Sequence, residues 1–196
     1  MFELAKNLST IEISDRNVRT LLALPESHFL DFKSKDIAPA KLSESISAFG
    51  NSDGGEIYVG IKESDVCEWD GFANVEALND YFHLIYDHFK AEPSIIVDIL
   101  SNKNQLGLVL KIEITKTSNI FHATSGKIYL RVNASKLPVN SPDKLRQLEF
   151  EKGLSSYEDN TTHDELIEIC NSKVIIEFML NVVPTGEPEN WLRKEK

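Results

Sequence analysis

The segment Ile46-Ser-Ala-Phe-Gly-Asn51-Ser-Asp53-Gly54-Gly55-Glu-Ile-Tyr-Val-Gly60-Ile61 constrains the chain more than any other. Upstream of it, Leu42, Ser45, Ile46 and Phe49 recur at helical spacing behind Pro39, which suits a first helical turn, so a helix is predicted over about 39–51. Asn-Ser-Asp-Gly-Gly stops that helix, and EIYVGIK (56–62) alternates as a strand with Ile57, Val59 and Ile61 inward. A helix entering a strand through so short a turn demands a domain in which helices pack on a sheet. Gly60 inside the strand marks a place where another group comes close.

The rest of the chain repeats the alternation. Residues 11–24 carry Ile11, Ile13, Val18, Leu21 and Leu22 and read as a short helix ended by Pro25, and 28–33 reads as a strand. In that strand Leu30 and Phe32 point one way, and Phe29, Asp31 and Lys33 the other. Val75, Leu78, Phe82, Ile85 and Phe89 mark a longer amphipathic helix, and strands follow at 94–100, 106–114 and 127–132, with a turn at 102–105. Ser141-Pro142 starts a helix over 143–152. The expected fold class is α+β, a mixed β-sheet with packed helices over residues 1–152. A polar linker at 153–162 then precedes a short helical appendage at 163–196, with helices at 163–183 and 187–195, as at the start of a winged-helix-like module.

Charge is distributed unevenly along the 196 residues. Residues 1–100 hold 8 basic against 18 acidic side chains, 101–150 hold 8 against 3, and 151–196 hold 5 against 10. A net charge of -10 disfavours nonspecific polyanion binding, whereas the middle block (Lys103, Lys111, Lys116, Lys127, Arg131, Lys136, Lys144, Arg146) forms either one basic face or an ordinary solvated surface. No apolar run is long enough for a membrane span, and MFELAKNLST lacks the apolar centre of a secretory signal, so a cytoplasmic location is expected.

Several chemistries lack their residues. Cys67 and Cys170 stand in unrelated contexts, the five histidines form no metal-ligand pair, and neither a phosphate-loop motif nor a Gly-x-Ser-x-Gly elbow occurs. The chemistry-bearing feature is Glu26 followed by Asp31-Phe32-Lys33. An acid before a strand and another inside it converge on one divalent ion if the chain turns between them, and Lys33 on the Asp31 face suits a phosphate. Alternation of acids and lysines on a solvated strand is the plainer reading.

These motifs resemble the Schlafen-type AlbA_2 domain over about residues 20–150. The resemblance is carried by Glu26 with Asp31-Phe32-Lys33, Ile46 to Gly55, the 57–61 strand and Lys-Ile-Tyr-Leu-Arg-Val at 127–132. It implies a mixed α/β domain and, in nuclease members, a three-carboxylate metal site that cleaves structured RNA, notably transfer RNA. Glu26 and Asp31 match the first two acids. The third is expected after the Val-Gly-Ile strand, where this chain has Lys62, Glu63, Ser64 and Asp65.

Two functions follow. In the first, a metal-dependent endoribonuclease, Glu26, Asp31 and Lys33 are catalytic, and Glu26, Asp31 and Glu63 or Asp65 hold Mg²⁺ or Mn²⁺. Lys33, Lys127, Arg131 and Lys136 then meet the nucleic acid, transfer RNA, other structured RNA or DNA. In the second, the domain is a non-catalytic nucleic-acid-binding or regulatory module of a longer protein. A protein-interaction module is a third reading. The resemblance also implies a homodimer, two copies building the clamp that Schlafen proteins build from two lobes of one chain.

Overall fold

The computed structural model describes residues 10–64, 66–90, 94–155 and 177. Its strands are β1 (Thr10–Glu12), β2 (Leu30–Lys33), β3 (Gly55–Val59), β4 (Ile61–Lys62), β5 (Glu68–Trp69), β6 (Ile95–Ser101), β7 (Val109–Ile114), β8 (Tyr129–Val132) and β9 (Ser135–Pro138). The helices are α1 (Asp15–Leu22), α2 (Pro39–Asn51), α3 (Asn79–His83) and α4 (Pro142–Glu151). Five strands form one mixed sheet in the order β1-β6-β7-β3-β2, parallel at β1–β6 and β2–β3 and antiparallel elsewhere, while β4–β5 and β8–β9 are separate antiparallel pairs. The fold is α+β, as the sequence pattern requires.

Leu42, Ile46 and Phe49 of α2 pack with Ile57, Val59, Ile112 and Ile114 on one face of the sheet, joined by Leu78, Tyr81, Ile85 and Phe89. Phe32, Tyr58, Leu100 and Val109 occupy the other face beneath Leu21 and Leu22 of α1 and Trp69 of β5. Beyond Leu42, α2 is buried on nearly every side, because Ser43, Ser45, Ser47, Ala48 and Gly50 are small enough for neighbouring chain to press against the side turned from the sheet. Pro39 begins it as expected, and Ser141 caps α4 by accepting from the Lys144 N–H.

Three expectations need correction. Ile11 and Glu12 are not helical; with Thr10 they pair with β6, and α1 starts only after Ser14, whose side chain accepts from Asn17 N–H. The strand expected over 56–62 breaks at Gly60, which has φ +105°, so Ile61 turns away from Ile57 and Val59 and joins the opposite face. The long helix expected around 75–89 is a 3₁₀ turn (Glu76–Leu78), α3 and a π turn (Leu84–His88) in succession, which buries Tyr81 and Leu84 and leaves Val75 exposed. The helices expected at 163–183 and 187–195, and linker residues 156–162, lie outside the described residues.

Candidate functional site

The site is built on the free edge of β2. Phe29 and Lys33 accept from β3, with Glu56 N–H and Gly60 N–H each at 2.8 Å, so the backbone groups of Leu30 and Phe32 point outward from the sheet. An exposed row of such groups invites pairing with another chain. Here side chains close it. Glu26 Oε1 accepts from Phe32 N–H at 2.9 Å, Lys33 Nζ donates to Phe32 O at 2.8 Å, and Arg131 Nη2 donates to Leu30 O at 3.1 Å.

The same side chains neutralise one another. Asp31, 1% exposed, lies on the α2 face between Arg131 Nη2 at 3.1 Å from Oδ1 and Lys33 Nζ at 2.9 Å from Oδ2. These are ion-pair contacts, and neither carboxylate oxygen has an aligned hydrogen bond. Lys33 Nζ also stands 3.4 Å from Glu26 Oε1, bridging the two acids. Burial pushes the Glu26 carboxyl above its ordinary range; the Phe32 N–H and Lys33 oppose this and the charge of Asp31 adds to it. The structure thus brings Glu26, Asp31, Lys33 and Arg131 together, as two acids and two cations.

Glu63 is exposed on the turn after β4, within electrostatic reach of Cys67, whose thiol is raised first by burial and then by Glu63 and Glu26. Lys62 is also exposed, and Asp65 lies outside the described residues. Among the described residues, no three His, Cys, Asp or Glu side chains converge as a metal-binding set. The donor set as arranged does not fit Mg²⁺ or Mn²⁺: the oxygens such an ion needs already face an ammonium and a guanidinium.

Of the residues expected to meet nucleic acid, Lys127 is exposed in a hairpin turn. Arg131 is 4% exposed, donates to Ser27 O as well as Leu30 O, and lies 4.7 Å over the Phe49 ring, so its guanidinium is spent internally. Lys136 is held by Glu44 at 2.9 Å and by Lys41 O. The basic block does not make one continuous basic face. Lys103 pairs with Glu12, Lys111 with Glu56 and Glu113, and Lys116 with Asp53, while Lys127, Lys144 and Arg146 have no ion pair among the described residues.

Three residues carry more than the sequence revealed. Asn51 is a clamp: its Nδ2 donates to Phe121 O at 2.7 Å and Tyr129 O at 3.1 Å, and its Oδ1 accepts from Phe121 N–H at 2.8 Å. Gly54, at φ +78°, lets the chain leave α2 against Ile114 O, 2.4 Å from where a Cβ would sit. The Ile46 to Gly55 motif therefore fastens α2 to the segment leading into β8. Lys152 is buried, donating to Gly50 O at 2.8 Å and Thr117 O at 2.7 Å, which satisfies a terminal carbonyl of α2; burial and then Lys116 depress its pKa. No local pattern distinguishes it from the surface lysines. A cavity of about 200 Å³ beside it is lined by His28, Asp53, Lys116 and Arg131 among others.

An α+β domain with a self-neutralised charge cluster on one sheet edge is thus defined. Residues 26–140, more than half of the chain, match the Schlafen AlbA_2 family, and the chain belongs to it. Membership carries a nucleic-acid-related function. No curated protein matches the chain. Among solved structures, the crystal structure of the DIP2311 protein from Corynebacterium diphtheriae is similar at 16% identity with a TM-score of 0.47, covering 85% of this chain and 37% of that one. The chain therefore spans well under half of that protein. No helix among the described residues is long and apolar enough to cross a membrane.

Proposed function

We propose that this is a nucleic-acid-binding domain that contacts backbone phosphates of structured RNA such as transfer RNA, or of DNA, without cutting them. The observation that carries this reading is the closed charge balance of Glu26, Asp31, Lys33 and Arg131 in a chain of the Schlafen AlbA_2 family. Carboxylates already paired with cations do not repel a polyanion, and they are not available for metal-assisted hydrolysis. The cations of the 101–150 block left for phosphates are Lys127, Lys144 and Arg146, exposed and without ion pairs among the described residues. Part of this reading is that the domain works in the cytoplasm and as a homodimer, which doubles a small set of cations along one polyanion. Light scattering then gives twice the 22.1 kDa chain mass.

The test is fluorescence anisotropy with labelled transfer RNA and with single- and double-stranded DNA, in EDTA, across a salt series. Binding that survives EDTA, with a log–log salt slope of about -2 to -3 per chain and a shallower slope in Lys127→Glu, supports the reading. Absence of binding at low salt overturns it in favour of a protein-interaction module.

A second reading, a divalent-metal-dependent endoribonuclease acting on structured RNA, draws on the convergence of Glu26, Asp31 and Lys33 on one edge. It assigns Glu63 or Asp65 as the third acid and requires Lys33 to leave its place between the first two. Cleavage of transfer RNA in Mn²⁺ or Mg²⁺ that disappears in Glu26→Gln would establish it.

A further inference from the structure

We propose that the Lys33 ammonium is the resident cation of the Glu26–Asp31 pair, and that it holds this position closed to divalent metal ions. Lys33 Nζ lies 2.9 Å from Asp31 Oδ2 and 3.4 Å from Glu26 Oε1, which is the bridging place an ion shared by the two carboxylates would take. A hydrogen bond to Phe32 O at 2.8 Å ties the ammonium to the β2 edge as well. Arg131 fixes the other Asp31 oxygen from a buried position, stacked over Phe49. An incoming ion would have to displace Lys33, strip Phe32 O of its donor and sit beside an ammonium with nowhere equally good to go.

Glu26 and Lys33 cap the Phe32 N–H and carbonyl of the edge strand, a role that needs no metal ion. Removing the ammonium while keeping the aliphatic stem should turn the pair into a cation site. The inference rests on the nucleic-acid-binding reading only in treating this edge as internally neutralised. It is tested with no nucleic acid present, so the two fail separately.

The experiment is a titration of the purified full chain with Mn²⁺, following the electron paramagnetic resonance signal of the free ion. It uses the wild type, Lys33→Met, Lys33→Gln and Glu26→Gln, with circular dichroism as the check on folding. The wild type is expected to bind no Mn²⁺ at this site at millimolar concentration. Lys33→Met is expected to bind one ion per chain at least roughly tenfold more tightly, since a like charge in contact with the site is gone. Lys33→Gln keeps a donor for Phe32 O and is expected to behave the same way, so it decides the question if Lys33→Met does not fold. Stoichiometric Mn²⁺ binding by the wild type that is lost in Glu26→Gln overturns the proposal. Failure of both folded Lys33 variants to gain binding overturns it as well.

Discussion

Replacing Asn51 by alanine separates a structural clamp from a ligand-binding residue. The substitution removes the acceptor of the buried Phe121 N–H and a donor to Tyr129 O, whereas Phe121 O keeps the Ser47 hydroxyl at 2.7 Å. Each buried group left without a partner costs about 1–3 kcal/mol, with the upper part of that range for the Phe121 N–H and the lower for the half-buried Tyr129 carbonyl, so a loss of about 3 kcal/mol is expected. In a domain of this size that lowers Tm by roughly 6–12 °C without abolishing folding. Asn51→Asp should cost at least as much: it keeps an acceptor for Phe121 N–H but turns a carboxylate oxygen toward two carbonyls. Urea unfolding followed by circular dichroism reads the midpoint and the slope. The expected result is a lower midpoint at unchanged slope, with nucleic-acid binding retained at temperatures where the variant is folded. A cost below about 0.5 kcal/mol together with loss of nucleic-acid binding would refute the clamp and place Asn51 at a ligand.

Gly50 makes a sharper steric case, because a Cβ there would lie 2.2 Å from Phe121 Cδ2; Gly50→Ala should destabilise by about 1–3 kcal/mol in the same assay, and a neutral result would mean that the 121 segment is free to move aside. Glu26 gives a pH signature. Its folded pKa is raised, so the native state holds the proton more tightly than the unfolded chain, and wild-type stability falls as pH rises from 4.5 through the raised value. Glu26→Gln lacks this term, so its Tm should improve relative to wild type over that window; a constant difference across pH 4 to 7 would contradict the raised pKa. Lys152 behaves oppositely at the alkaline end: with its folded pKa depressed, stability should rise with pH through the depressed value up to 10.5, a rise that Lys152→Met abolishes.

The elements whose signals are local were legible from the residues alone. Pro39 and the Leu42–Ile46–Phe49 stripe set α2, Ser141-Pro142 set the start of α4, and alternation located most strands, because caps, turn residues and periodicity act over a few neighbouring residues. The sequence also brought forward Glu26, Asp31 and Lys33 as candidate site residues. Tertiary structure alone decided what they do. The sheet order leaves β2 at an edge, and that edge turns Glu26 and Lys33 into caps for Phe32. Arg131, a hundred residues along the chain, becomes the buried partner of Asp31 rather than a surface cation, and Lys111, Lys116 and Lys136 are taken up by carboxylates from distant elements. Residues 10–12 went to a strand because β6 offered a partner, which outweighs the weak helical preference of so short a segment. Charge pairing depends on which surfaces meet across the fold, and sequence spacing carries no record of that.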